Sequence, residues 1–442
     1  MKESKIIKIF IVFSFILVIT GGFLLWQKDW FYNPLAYNSD ENNSFWKITP
    51  EVFGFNEEKT YLLLFQNNME IRPTGGYLGN FGIIKIKNAQ PTSFEIHDTN
   101  IFDGFGKIKT IPPQPMQDYL GIKNWQMRDG NWSPDFLESA QKVEYFYHLQ
   151  GGQEEFDGII AFNASGLKDF LKMNGPIYID QLNKEFNSTN ILYDLEYEVE
   201  RGYLERGYGD GERKTVFKIL IAQILDQIKE KNFLDKMSLI NFISDQLNKK
   251  NILLYSKENQ IQKLIQNQEW GGRINRFYQG DYIMINEANL GAKKSNYFVE
   301  RELDYFLDMS GEKPKANLKI KFNHSQFEKN WFNDDYRAYL RIYLPKESSD
   351  FTSPFQINFD ISEEFNKKVI GFWIDIPAGT EKIFEINYLL PDRIKGENYK
   401  ILIEKQAGIN ILPFQILLKT EEKNYLRKGQ VENIWEKEIF LK

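Results

Sequence analysis

The 442 residues contain no cysteine, which excludes thiol nucleophiles, disulfides and thiolate metal sites. Histidine is almost as scarce. His97, His148 and His324 are the whole complement, too scattered for a multi-histidine metal centre. There is no excess of positive charge either: the formal net charge is −6, so no basic field marks a nucleic-acid binder, and nucleic acid is not an expected partner. A Gly-x-Ser-x-Gly elbow is missing, and with three histidines a Ser/His/Asp triad finds no support. The Walker phosphate loop is missing as well. Internal repeats and low-complexity tracts are absent.

What is present suits a folded chain of two or three domains. Apolar residues make up 42%, enough for sizeable cores, and aromatics reach 15%, with 36 Phe and 23 Tyr. One stretch alone is long and apolar enough to span a bilayer. It is Ile9–Trp26, IFIVFSFILVITGGFLLW, without a charge. Lys2, Lys5 and Lys8 precede it and only Lys28 follows closely, so the positive-inside rule puts residues 1–8 in the cytoplasm and the rest outside. Trp26, Trp30, Phe31 and Tyr32 suit the far interface. No small-x-small site follows the run, which favours an uncleaved anchor over a signal peptide. The expectation is a single-pass membrane protein with its lipid bilayer as first partner: an anchor at 9–26, a polar stem at 27–59 and an extracytoplasmic body.

Within that body, Tyr61–Phe65 is a continuous apolar run that reads as a buried strand. Gly79–Lys87 and Ser93–His97 follow as strands, with a turn at Asn88–Pro91. Phe156–Phe162, the helix Ala164–Met173 and the strand Ile177–Asp180 come in close succession, the pattern of a layered α/β domain with a mixed sheet, assigned to 60–310. Its strongest helix is Glu212–Lys231, with Val216, Leu220, Ile224 and Ile228 on one stripe. After Ser310–Lys315 seven short strands are predicted, among them Tyr336–Leu344 with alternating apolar positions and Phe355–Ile361. These predict an all-β, immunoglobulin-like sandwich over 316–442.

The densest stretch is Met127–Gln141, MRDGNWSPDFLESAQ. Arg128 and Asp129 precede Gly130 and so sit on or beside a turn. Ser133 is the expected N-cap of a helix with Pro134 at its first position. A charged turn feeding a helix N-terminus can hold an anion; the alternative is a turn whose Arg and Asp pair with their neighbours. Arg72 lies in RPTGG past the first strand's C-terminal end, where α/β sheets bind ligands, and Gly75 and Gly76 permit close backbone approach. Asp98 and Thr99 follow the third strand. Arg201, Arg206, Arg213 and Lys214 gather near the start of the long helix and could attract phosphate. Interleaved acids (Glu198, Glu200, Glu205, Asp210, Glu212) also fit a solvated surface.

Taken together, YLLLFQNNMEIRPTGGYLGNFGIIKI, RDGNWSPDFLESAQ, FDGIIAFNASGLKDFLKMNGPI and KSNYFVER resemble the bacterial domain of unknown function 4012 family, from about Glu51 onward. The order of elements is more distantly similar to the LytR–CpsA–Psr family. Those membrane-anchored enzymes move a glycopolymer phosphate from a polyprenyl pyrophosphate carrier to a cell-wall acceptor. That resemblance implies Arg72, Arg201, Arg206 and Arg213 as phosphate-binding residues. It also implies Asp98 as a catalytic residue and ligand of a Mg²⁺ cofactor, and matches Asn131 to the family's Asn before a long helix. Arg128 and Asp129, from the charged turn, could supply as further catalytic residues what the family's pattern lacks here, Asp129 as a second Mg²⁺ ligand. The chain departs from the pattern in lacking an Asp close after Arg72 and in carrying His97 for an Arg. Two functions follow as expectations. One is a phosphoglycosyl transferase acting on a polyprenyl pyrophosphate-linked glycan and a cell-wall polymer. The other is a non-catalytic envelope module that binds glycan or lipid-linked polymer, or assembles with surface proteins.

Overall fold

The computed structural model describes residues 51–104, 109–209, 215–216, 219–220, 223–224, 227, 233–291, 293–396 and 398–441. The expected anchor Ile9–Trp26 and the stem up to residue 50 lie outside the described residues. Among the described residues no helix is long and apolar enough to cross a membrane. The chain divides into two units, each drawn from separated segments.

The first unit takes residues up to Gln66, Leu78–Gly106 and Tyr147–Gly271. Its strands are β1 (Lys59–Asn67), β2 (Tyr77–Lys87), β3 (Gln90–Asp98), β4 (Gly158–Asn163), β5 (Ile177–Ile179), β6 (Lys184–Phe186) and β7 (Ile252–Ser256). Five form one sheet in the order β3-β2-β1-β4-β7. β1 pairs with β4 in parallel, and β4 with β7 antiparallel, so the sheet is mixed as expected. Leu62, Leu63 and Leu64 are all buried, which is why β1 reads as an unbroken apolar run rather than an alternating one. The β2–β3 hairpin turns at Asn88 and Ala89, both with positive φ, the geometry that matches strand twist in a two-residue turn. Of the long helical stripe, Val216, Leu220 and Ile224 are buried in the same core as Leu63, Ile160 and Phe170.

The second unit takes Asn67–Tyr77, Lys107–Phe146 and Gly272–Lys442. It holds β8 (Asp281–Asn289), β9 (Val299–Asp308), β10 (Lys315–His324), β11 (Tyr336–Pro345), β12 (Ser349–Thr352), β13 (Asp360–Glu364), β14 (Lys367–Ile376), β15 (Glu381–Leu389), β16 (Asn398–Glu404), β17 (Leu412–Lys419), β18 (Asn424–Val431) and β19 (Ile434–Phe440). They make two six-stranded sheets, β12-β15-β10-β9-β17-β18 and β13-β14-β11-β8-β16-β19. The sandwich is therefore larger than the seven-stranded, immunoglobulin-like one expected. The boundary expected near residue 310 falls inside the β9–β10 hairpin, whose strands pair from Asp308–Lys315 to Val299–His324. β8 and β9 precede that boundary in the chain, and nothing local tells which sheet a strand will join. Of the strand expected at Phe355–Ile361, only Asp360 and Ile361 belong to a strand, β13.

The alternation in β11 places Tyr336, Ala338, Leu340 and Ile342 in the sandwich core. Its other face is buried too. Tyr339 packs with Met116, Tyr119, Leu120, Trp125 and Trp132, all from the 107–146 segment. Two carboxylates of β8 link the sheets across the core. Asp281 accepts hydrogen bonds from Tyr305 Oη at 2.6 Å and Tyr399 Oη at 2.7 Å, and burial raises its pKa although both hydroxyls oppose the shift. Glu287 takes both Nε and Nη2 of Arg301, at 2.6 and 2.8 Å.

Lys367, at the start of β14, is buried with its ammonium 4.6 Å from the Tyr282 ring centroid. Burial pulls its pKa down to about 8, with nearby Glu404 opposing. A lysine depressed below its unfolded value of about 10.4 destabilises the fold fully below pH 8, and this penalty fades as pH rises from 8 to 10.4. Lys367→Met is therefore expected to be more stable than the parent at pH 7. The difference in melting temperature should narrow between pH 8 and 10; a gap independent of pH would remove the assignment.

Candidate functional site

The RPTGG loop and the Arg128–Asp129 turn both belong to the second unit, and there they meet. Arg72 is 2% exposed. Its Nη2 donates to Glu70 Oε1 at 3.0 Å, its Nη1 donates to the Asn289 carbonyl of β8, and its Nε lies 3.6 Å from Asp129 Oδ1. Burial works against the guanidinium charge, but Glu70 and Asp129 outweigh it and raise the Arg72 pKa. The ring of Tyr77 lies 5.4 Å from the guanidinium. The glycines of the loop do allow a close backbone approach, to the chain itself. A Cβ on Gly408, which has φ +85°, would meet Gly75 O at 2.1 Å, and Asn68 Nδ2 donates to the Gly408 carbonyl at 2.9 Å.

Asp129 lies between two arginines, since Arg128 Nε stands 3.8 Å from its other oxygen. Arg128 is partly exposed and also donates to Gln126 Oε1. The Asp129 carbonyl accepts from Trp125 Nε1 at 2.8 Å, and Asn131 Nδ2 donates to the Gly76 carbonyl at 2.8 Å. Gly130 is required by packing: a Cβ there would come within 2.9 Å of Val143 Cγ2 on the following helix. That helix runs Phe136–Leu149, and its cap is Asp135 rather than the expected Ser133. Leu137 N–H donates to Asp135 Oδ1 at 3.2 Å, and Ser133 Oγ accepts from Asp135 N–H at 3.3 Å. The physical reason is Pro134, which without an N–H sits just before the cap and leaves Ser133 to make a local turn.

Of the remaining expected site residues, Asp98, Arg201 and Arg206 fall in the first unit. Asp98 caps the short helix Thr99–Phe102, its Oδ1 accepting from Asn100 N–H at 2.9 Å. Arg201 is exposed on the π-helical turn Glu198–Gly202. Arg206 forms an ion pair with buried Glu198, which also takes Lys184 at 3.3 Å. Arg213 lies outside the described residues. The proposed Mg²⁺ ligands do not fit the ion. Asp129 is flanked by two guanidinium groups and Asp98 caps a helix, so each carboxylate is already engaged, whereas a Mg²⁺ ligand needs charge to spare.

One arrangement in the second unit was not foreseen. An open cleft of about 470 Å³ is lined by Trp125, Gly130, Trp132, Ser133, Glu138, Lys142, Arg276, Arg341, Glu364 and Phe365. Six of these come from the segment 125–142, so the conspicuous motif does line a site, through the residues after Asp129 rather than through Arg128 and Asp129. Arg341 Nη2 donates to the Trp132 carbonyl at 2.7 Å, and its guanidinium lies 4.6 Å from the Trp132 ring centroid. Arg276 Nη2 pairs with buried Asp135 at 3.2 Å and Glu138 at 2.9 Å. Arg276 and Arg341 arrive from distant positions with no local motif, so only the alternation of β11, with Arg341 on its outer face, hinted at them.

With the geometry in place, comparison with known proteins identifies part of the chain. Residues 56–199 match the family described as Protein of unknown function (DUF4012). The resemblance read from the sequence holds over that stretch, and the DUF4012 match contains both the RPTGG loop and the whole 125–142 lining segment. No curated protein matches the sequence. Among solved structures, the Lin1025 protein of Listeria innocua aligns at 14% identity, covering 49% of this chain and 79% of that one, with a TM-score of 0.28. A Bacillus subtilis structure described as the transcriptional regulator yvhJ aligns at 12%, covering 48% and 76%, with a TM-score of 0.25. Bacillus subtilis TagV aligns at 12%, covering 48% and 81%, with a TM-score of 0.27. These scores are too low to carry a site or an activity across.

The two arginines of the turn differ in what their loss should cost. Arg72→Met takes from the buried carboxylates of Glu70 and Asp129 the buried cation they share, leaving the looser contacts of Glu70 with Lys294 at 3.7 Å and of Asp129 with Arg128 at 3.8 Å, and should lower unfolding free energy by about 3 kcal/mol. Arg128→Ala removes a partly exposed pair and should cost about 1 kcal/mol or less. Urea unfolding of both variants checks this; an Arg72→Met midpoint equal to the parent's would contradict the inward reading.

Proposed function

We propose that the protein is a membrane-anchored, extracytoplasmic cell-envelope protein whose cleft binds glycan, without transferring it. The observation that carries this reading is the cleft itself. It is open, of a size that suits small ligands, walled by Trp125, Trp132 and Phe365, and set with fixed cations and carboxylates. Aromatic surface with a few placed polar groups is what a sugar presents its C–H face and hydroxyls to. The envelope address rests on the sequence: the apolar run Ile9–Trp26 with Lys2, Lys5 and Lys8 before it.

Glycopolymer transfer from a polyprenyl pyrophosphate carrier would need Arg72, Asp98, Arg128, Asp129 and Arg213 around one cavity. Arg72 is instead committed to Glu70, Asp129 and the Asn289 carbonyl, and Asp98 to a helix cap. Neither Arg72 nor Arg128 lines the cleft.

Two measurements test the proposal. Protease added to intact protoplasts should digest the body, and full protection would reverse the topology. Full-length protein in detergent should bind fragments of envelope polysaccharide, and Ser133→Trp, which sets a bulky indole in the cleft lining, should weaken binding about tenfold or more. Equal binding by that variant would place the ligand elsewhere. Release of polyprenyl phosphate from a lipid-linked glycan would replace binding with transfer.

A further inference from the structure

Among the described residues, Lys142 is the one cation of the cleft lining without a carboxylate partner. It lies one helical turn after Glu138, the spacing at which Glu and Lys on a helix normally pair. Here Glu138 is drawn away. Its Oε1 accepts from Arg276 Nη2 at 2.9 Å and its Oε2 from Ser133 Oγ at 3.1 Å. Among the described residues no carboxylate pairs with Lys142. Its ammonium instead lies 5.1, 5.2 and 5.8 Å from the ring centroids of Trp125, Tyr145 and Phe146. The rings hold the charge in place without neutralising it. Trp125 is itself fixed by the hydrogen bond from its Nε1 to the Asp129 carbonyl.

The rest of the lining leaves that charge standing. Glu138 is matched by Arg276. Glu364 lies 3.6 Å from Arg341 Nη1 and accepts from Tyr343 Oη at 2.7 Å. Asp135, beneath Arg276, is also 3.6 Å from Arg273. Three cations thus line the cleft against two carboxylates, and the surplus sits on Lys142.

We infer that the cleft selects an anionic glycan, one bearing phosphate or carboxylate groups, and that Lys142 meets the anion. This rests on the glycan-binding reading above and gives it a substrate class. The aromatic walls bind the ring of a sugar, and the ammonium pairs with its charged substituent through a charge-assisted hydrogen bond.

The test titrates full-length protein in detergent with phosphomannan, polygalacturonate, neutral mannan and inorganic phosphate. At least one anionic polymer should bind about tenfold or more tightly than neutral mannan, and its affinity should fall as salt rises. Whether phosphomannan or polygalacturonate is preferred identifies the anion. Lys142→Gln should abolish the preference and its salt dependence, and Lys142→Arg should keep both. Equal binding of neutral and anionic polymers, unaffected by salt, overturns the anion selectivity and leaves glycan binding intact. No binding of any polymer overturns both. Inorganic phosphate binding as tightly as phosphomannan overturns the glycan class and leaves a simple anion site. Should Lys142→Gln fail to fold, the salt dependence and polymer preference of the parent protein still decide the matter.

Discussion

The second unit depends on one buried cation. Arg72 ties three separated pieces of chain together: its own loop through Glu70, the Met127–Gly130 turn through Asp129, and the end of β8 through the Asn289 carbonyl. The backbone around it is held in the same way, since Gln406 Nε2 donates to the Arg72 carbonyl at 3.0 Å and Asn286 Nδ2 to the Pro73 carbonyl at 3.0 Å. A buried guanidinium has a large desolvation cost, which two carboxylates and a carbonyl offset only when all are in place. The tie is therefore a positional device more than a source of net stability. It fixes where the 67–77 and 107–146 segments lie on the outer face of β11 and β8.

That placement explains why the outer face of a sandwich sheet can be as apolar as the inner one. In β11 every residue except Arg337 is buried. The inner row meets the opposite sheet, and the outer row, Tyr339, Arg341 and Tyr343, meets chain that arrives from before the sandwich begins. Arg341 can lie on that face because the Trp132 carbonyl and Asn286 accept from its Nη2 and Glu364 lies 3.6 Å from its Nη1. The cleft forms where this covering layer stops, between the 125–142 segment and the chain around Arg276 and Phe365.

The elements themselves were readable from residue order because their causes are local. The apolar run of β1, the Asn88–Ala89 turn, the Val216–Ile224 stripe and the alternation of β11 each rest on neighbours a few residues apart. The assignment of segments to units was not readable. RPTGG follows directly on β1 of the first unit yet belongs to the second, because its partners, Asp129, Asn289 and Gln406, are distant in sequence. The site was legible by half for the same reason. Met127–Gln141 was conspicuous, and it does border the cleft. Which of its charges face inward depended on Glu70 and Arg72, and which face the cleft depended on Arg276, none of them nearby in the chain. The capping error at Ser133 is of another kind: two good capping residues stand two apart, and the proline between them decided for Asp135.

The same segment therefore carries two layers of residues with different duties. Arg128, Asp129, Gly130 and Asn131 set the turn by bonding to the loop and packing on the helix. Trp132, Ser133, Glu138 and Lys142 face the cleft. Glu138 joins the layers, because by pairing with Arg276 beside Asp135 it both secures the helix start and leaves Lys142 without its natural helical partner. Freeing Lys142 thus needs no strained geometry. It needs only an arginine at position 276 that competes better for Glu138, and a planar guanidinium that also lies 4.7 Å from the Phe365 ring centroid competes well. Charge in the cleft is in this way set by a residue far away in sequence, while the turn that builds the cleft stays unchanged.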